Sequence, residues 1–369
     1  LYYLRFFILT LAVLAMLFLL TEENQWQEVS FPSTWTQYET PEEAGWSSDK
    51  LKKAREYYDE LGSTSALLVH DGKIVIAWGD ITKNTRAHSI RKSFLNALYG
   101  IYIEKDSINL DDTLEDLQIV DIKELTSSEK QATISDLLTS RSGVYLKAGE
   151  ESFTMSLTRP PRSSYPPGTH FYYNNWDFNV LGTILNQQSQ SDLFYEFHQK
   201  IAIPLGMEDF SLENTWYQFE SNKSLHPSYL FRISARDMAR FGQLYLQKGK
   251  WEDVQMISSE WIETSTKVHA VPEGFTLYGY GYLWWVAQQG EWEELGLYSA
   301  IGRYGQSIDI IPEKNILFVH RMDSDMALFP FLNQVTNHQR LYLLNLILDA
   351  KTEETKENPR IIPGILSKM

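Results

Sequence analysis

Residues 86–112 read RAHSIRKSFLNALYGIYIEKDSINLDD, and the fold turns on how Ser89 and Lys92 are read. Behind Lys92, the residues Phe94, Leu95, Leu98, Ile101 and Tyr102 fall on one helical face. Ser89 is therefore expected at or just inside a helix N-terminus, one turn from Lys92 and on the same side. First-turn N–H groups have no intrahelical partner and carry partial positive charge, so a nucleophile placed there has a donor ready for a developing oxyanion. A serine hydroxyl needs a base, and a lysine serves if its surroundings keep it partly neutral. The plainer reading makes Ser89 an N-cap and Lys92 a solvated first-turn residue.

Spacing alone does not decide between them, because Ser-x-x-Lys also occurs at Ser47–Lys50 and Ser127–Lys130. The first is a helix start: Ser47 fits an N-cap, with Asp49 in the first turn and Leu51, Ala54 and Tyr58 at helical spacing. The second sits in LTSSEKQAT, a polar loop before the next helix.

A third feature separates Ser89 from these decoys. PPGTHFYYNNWDFNVLGTIL holds Tyr173-Asn174-Asn175, and Tyr-x-Asn occurs nowhere else apart from the overlapping frame at Tyr172. A tyrosine of lowered pKa can pass protons between nucleophile and leaving group, and the amide at Asn175 can orient the lysine or a substrate. A buried aromatic pair with Asn at a helix start is the alternative.

Around this centre, SALLVHDGKIVIAWGD places two β-rich runs about Asp71-Gly72, a strong hairpin signal. Helical patterns dominate from Ser89 to about Thr266. Strand-like runs return in GYGYLWWVA, from Trp292 to Pro312, and in ILFVHRM, and an apolar helix spans Gln339 to Leu348. Two β-rich portions flanking a helical middle read as one α/β layer completed by both parts of the chain, with a mainly helical insertion. The expected boundaries are 41–350 for this body, with 41–85 and 270–350 forming the α/β part and 86–269 the mainly helical part. A connector at 21–40 precedes it and a polar tail at 351–369 follows.

Residues 1–20, LYYLRFFILTLAVLAMLFLL, are apolar except for Arg5 and long enough to cross a bilayer core of ~30 Å. The run ends in Phe18, Leu19 and Leu20 rather than in small residues, which favours an uncleaved transmembrane anchor over a cleaved signal peptide. Either way the body is expected outside the cytoplasm, anchored in the first case and secreted in the second.

Composition narrows the chemistry. A net charge of -15 and a pI near 5.0, with no basic run, exclude a nucleic-acid partner. Cysteine is absent, which removes disulfides, thiolate catalysis and Cys-ligated zinc. The eight histidines are scattered without paired ligand spacing, so no metal is expected, and His70, His170 and His320 read as structural or partly exposed. No Gly-x-Ser-x-Gly elbow is present.

The arrangement resembles the serine β-lactamase and penicillin-binding-protein superfamily, in its class C and esterase-like branch, from about Pro41 to His320. TPEEAGWSSDKL resembles its opening helix, SIRK its Ser-x-x-Lys and YNN its Tyr-x-Asn, with INLDDTLEDL, ATISDLLTSRSGV and NVLGTIL as further landmarks. The resemblance implies a β-lactamase/transpeptidase-like α/β (α+β) fold, an antiparallel sheet flanked by helices with a helical inserted domain. It implies no cofactor and an acyl-enzyme mechanism. Ser89 would be the nucleophile, Lys92 its activator, Tyr173 the general acid/base and Asn175 a supporting amide. The third family motif, Lys-Thr-Gly or His-x-Gly, is met here by Ala300-Ile301-Gly302, with neither cation nor hydroxyl. The groups that hold a substrate carboxylate in the family are thus missing, although the N–H of Arg303, beside Gly302, can still complete an oxyanion hole with that of Ser89. The resemblance thus implies hydrolysis of a small-molecule ester, amide or peptide-like substrate, with a non-turnover binding or sensor protein of the same fold as the rival reading.

Overall fold

The computed structural model describes residues 35–274, 277–325 and 334–352. The expected membrane segment at 1–20, most of the connector at 21–40 and the tail from 353 onward lie outside the described residues. Among those described, no helix is long and apolar enough to cross a membrane.

Among the described residues, twelve strands and five helices of twelve or more residues carry the architecture. The strands are β1 (Ser65–His70), β2 (Lys73–Gly79), β3 (Thr85–Arg86), β4 (Thr215–Gln218), β5 (Ser228–Ile233), β6 (Lys250–Trp251), β7 (Val254–Gln255), β8 (Tyr278–Tyr280), β9 (Trp285–Ala287), β10 (Tyr298–Gly302), β11 (Gln306–Ile311) and β12 (Ile316–Arg321). The helices are α1 (Ser48–Glu60), α2 (Arg91–Glu104), α3 (Asn175–Ser189), α4 (Ala235–Leu246) and α5 (Asn337–Asp349).

Seven strands form an antiparallel sheet in the order β2-β1-β12-β11-β10-β9-β8. The β1–β2 hairpin turns at Asp71 (φ 49°) and Gly72 (φ 74°), the two positive values that a tight hairpin matching the strand twist requires. The inner strands are buried on both faces. On one face Ala66, Leu68, Ile316 and Phe318 pack with Leu51, Ala54 and Tyr58 of α1 and with Leu344 and Ile347 of α5. On the other lies α4, so close that a Cβ on Gly242 would stand 2.4 Å from a methyl of Leu317. Because α1 and α5 share a face, the start and end of the described body meet, and Ser47 N–H donates to Ala350 O at 2.9 Å. Inside the sheet, Arg340 of α5 forms a fully buried ion pair with Asp309 of β11, whose carboxylate also accepts from Ser299 and Ser307, each at 2.6 Å.

Beside the sheet, α2 is buried from Arg91 to Tyr102 on all sides rather than along one stripe. Its polar positions survive because each finds a fixed partner: Ser93 donates to Leu283 O and Asn96 to Tyr282 O. α3 starts at Asn174, whose side chain accepts from Trp176 N–H and donates to Val144 O.

Three local expectations are corrected. The middle of the chain also holds a small sheet, β3-β5-β4, and a two-stranded ribbon, β6-β7. The run SYLFRI of β5 is rich in β-formers, and its signal was hidden among stronger helical periodicities. Trp292 lies in a short helix, Gly290–Glu294, and the strand begins only at Tyr298. Helix α4, inside the 86–269 stretch, packs on the main sheet because its apolar face matches β11 and β12.

Candidate active site

Ser89 lies in a 3-10 turn, His88–Ile90, that runs directly into α2. The turn is tied to the small sheet by Ala87 N–H donating to Phe231 O at 2.9 Å, and His88 takes a left-handed backbone with φ 49°. One helical turn on, Lys92 Nζ donates to Ser89 Oγ at 2.8 Å and to Tyr173 OH at 2.7 Å. Tyr173 comes from the loop end just ahead of α3, 81 residues along the chain. The alcohol, the amine and the phenol therefore form one continuous hydrogen-bonded chain. The two decoys do not: Ser47 caps α1, accepting from Lys50 N–H, and Lys130 lies in a short 3-10 turn.

Lys92 is 2% exposed, and its amine sits 4.4 Å from the centre of the Tyr173 ring and 4.3 Å from that of Phe178. Burial pushes its pKa well below the ordinary lysine value; the charges of Arg91 and Arg303 push the same way, and Glu150 opposes them. A neutral amine can accept the Ser89 proton. Tyr173 moves against the expectation of a lowered pKa. Burial drives its phenol up to about 12, with the Ser89 bond and the charges of Arg91 and Arg303 only partly opposing. The phenol is thus protonated at neutral pH, fit to hand on a proton but not to rest as a phenolate.

Gly302 ends β10 hard against the Ser89 turn. A Cβ there would lie 2.8 Å from Ala87 O and 3.4 Å from His88 Cβ, so only glycine lets the strand end come this close to Ser89. Arg303 follows at the rim, exposed, with no ion-pair partner among the described residues. Ala300 is buried and Ile301 lines the cleft. Asn175 stands near the centre but not as an orienter of Lys92. Its Nδ2 donates to Glu150 O at 2.7 Å and more weakly to Gly149 O, while its Oδ1 is buried without a partner.

A cleft of about 360 Å³ opens over Ser89, walled by Tyr173, Tyr278, Trp285, Ile301 and Val335, with Arg303 at its edge. Among the described residues no group of His, Asp and Glu side chains is placed to hold a metal ion. Three neighbours of Ser89 escaped the sequence reading. His88 bonds Ser324 Oγ at 2.7 Å, and burial, with the surrounding arginines, pushes it down to about 3, so it is neutral. Arg91 and Glu150 complete the surroundings of Lys92. The one usable signal was Arg91 itself, a second cation beside Lys92 at the start of the same helix.

This geometry agrees with what the chain is similar to. Over 186 residues it is 25% identical to D-aminopeptidase of Brucella anthropi, a match covering 42% of this chain and 34% of that one. The chain thus spans about a third of the length of that curated relative. A solved structure from Bacillus anthracis bearing the name of a 6-aminohexanoate-dimer hydrolase superposes with a TM-score of 0.61 at 24% identity, covering 80% of each chain. A class C β-lactamase variant superposes with a TM-score of 0.59 at 14% identity, covering 82% of this chain and 96% of that one. The two superpositions bear on the fold, which is β-lactamase/transpeptidase-like. The Beta-lactamase family model matches residues 52–333, which takes in the Ser89 turn, Tyr173 and the β10 edge alike, and the chain belongs to that family.

Proposed function

We propose that this protein is a serine hydrolase that cleaves a carboxylic ester or amide of a small molecule through an acyl-enzyme on Ser89. The observation that carries this reading is the Ser89–Lys92–Tyr173 hydrogen-bonded chain at the floor of the cleft. Lys92, kept neutral, takes the Oγ proton as Ser89 attacks the carbonyl carbon. The N–H groups of Ser89 and Arg303 receive the developing oxyanion. The proton then passes through the Tyr173 hydroxyl to the leaving alkoxide or amine, whose departure gives the acyl-enzyme. Hydrolysis of that ester releases the acid.

Substrate preference follows from the walls. Tyr278, Trp285, Ile301 and Val335 favour an apolar or aromatic group, and Arg303 is the cation nearest the rim. With alanine and isoleucine where the family carries a cation and a hydroxyl, linear esters and amides fit this site better than β-lactams. The names of the D-aminopeptidase and the 6-aminohexanoate-dimer hydrolase agree with amide cleavage. The apolar segment at 1–20 supports a membrane-anchored catalytic body outside the cytoplasm.

The test is turnover of p-nitrophenyl butyrate and of short peptide amides, with intact-mass detection of an acyl adduct. Ser89→Ala is expected to lose about 10⁴-fold or more in kcat. Unchanged turnover in that variant would overturn the proposal.

A further inference from the structure

His320 of β12 is fully buried and pairs across the ladder with Ser307 of β11. Two residues before Ser307 lies Gly305, the last residue of the turn that joins β10 to β11. Gly302 pairs with Gln306, so this turn is Arg303, Tyr304 and Gly305, and it carries the Arg303 N–H. Tyr304 (φ 70°) and Gly305 (φ 92°) are both left-handed. For a tyrosine that backbone is strained and persists only where neighbours enforce it.

Contacts at both ends and in the middle hold the turn. Gly302 sits so close to the Ser89 turn that a Cβ on it would stand 2.8 Å from Ala87 O. Val335 N–H donates to Tyr304 O at 3.2 Å. At the far end His320 Nδ1 lies 2.6 Å from Gly305 O, and because a carbonyl only accepts, Nδ1 carries the ring proton. Burial pushes the His320 pKa down to about 4, against the opposing Gly305 bond, so the ring is neutral at neutral pH. Nε2 is then bare and accepts from the Ser63 hydroxyl at 2.7 Å. Tautomer and ring orientation are both fixed by these two bonds. Gly302 and Val335 line the cleft and His320 does not, so any effect of His320 on the chemistry passes through the turn.

We infer that His320 is a positioning residue for acylation: by donating to Gly305 O it keeps the Arg303 N–H aimed at the carbonyl oxygen of the ester or amide that Ser89 attacks. The inference rests on the reading that Ser89 becomes acylated. Without the Nδ1 donor, Gly305 O is left unpaired in the sheet and the turn is free to relax from its left-handed backbone. The Arg303 N–H then points away from the developing oxyanion, while the cleft walls that bind the substrate stay in place. The loss therefore falls on the transition state and not on substrate binding.

The test follows single-turnover acylation by p-nitrophenyl butyrate in the full chain, with thermal melting beside it. His320→Phe keeps a flat ring and His320→Val keeps a strand-forming side chain, and both remove the donor. Each folded variant should acylate about 10–10²-fold more slowly at saturating ester, with the half-saturating concentration within about threefold of the parent. His320→Asn places an amide N–H about where Nδ1–H stood and should restore the rate to within about threefold. Ser63→Ala leaves the Gly305 bond intact and should acylate like the parent. In the parent, ¹⁵N spectra of labelled histidine should show His320 protonated at Nδ1 and bare at Nε2. The inference is overturned if a folded Phe or Val variant acylates at the parental rate, if only the half-saturating concentration changes, or if His320→Asn fails to restore the rate. It also falls if Ser63→Ala is as slow as His320→Phe, if the proton is on Nε2, or if neither apolar variant folds, since His320 would then serve stability alone. An unsubstituted protein that never acylates would instead bring down the serine-hydrolase reading itself.

Discussion

Replacing Gly302 by alanine puts the proposed oxyanion hole under a defined mechanical load. The backbone at Gly302 is extended, φ -108° and ψ 159°, a conformation any residue adopts, so the effect of the methyl group is steric alone. The new carbon would stand 2.8 Å from Ala87 O, about 0.6 Å short of ordinary contact. Its neighbour is a backbone oxygen that cannot rotate aside, and Ala87 is itself tied to β5 through Phe231. The strand end and the Ser89 turn must therefore part, and the N–H groups of Arg303 and Ser89 part with them. Oxyanion donors act at about 2.7–3.1 Å, so an opening of this size removes one of them, which costs about 10²–10³ in kcat. Overpacking itself costs about 1–3 kcal/mol, within what a folded domain of this size tolerates. The assay is the single-turnover acylation rate with p-nitrophenyl butyrate, alongside thermal melting to confirm a folded protein. A folded Gly302→Ala protein that acylates within about threefold of the parent would refute the idea that this contact sets the hole.

Other expectations concern charge. Because the Lys92 pKa lies well below the ordinary lysine value, its base form is present at lower pH, and kcat/KM should rise with pH through that depressed value rather than near ~10.4. Arg91→Met removes a cation that disfavours the Lys92 ammonium, so the acid limb of the pH profile should move to higher pH; an unmoved limb would separate Arg91 from Lys92. Arg340→Met strands the Asp309 carboxylate in the sheet and should cost about 3–5 kcal/mol in urea unfolding. Adding Asp309→Asn, which removes the charge, keeps one serine bond and reverses the other so that Nδ2 donates to a serine Oγ, should recover most of that loss, and no recovery would show that packing rather than charge was lost.

What was legible in the sequence is what local rules encode. The Asp71-Gly72 turn, the N-cap at Ser47 and the helix behind Lys92 each follow from short-range sterics, and each is present. The resemblance carried by SIRK and YNN went further and placed Ser89, Lys92 and Tyr173 at a single centre, where they meet. Properties set by surroundings were less accessible. Whether Tyr173 is acidified depends on what encloses it, and a ring buried against Phe178 and Trp285 resists ionisation. Asn175 bonds to Glu150 O because a loop of no regular pattern passes there. Glu150 lay in that same loop, one acid among 48 acidic residues, with nothing local to single it out. Strand β5 was missed for a related reason: its partners β3 and β4 are two and four residues long, too short to announce themselves.

The central position of β12 has a consequence for how the chain is made. Ser65 pairs with Arg321, so the early hairpin emerges from the ribosome long before the strand that completes its sheet. Until then β1 exposes an open edge, and the β10 edge that will flank Ser89 has no scaffold beneath it. Such late, distant pairing is slow and leaves nascent chains prone to association. Ribosome stalling before residue 316 should therefore yield chains that chaperones bind and that fluorophosphonates do not label.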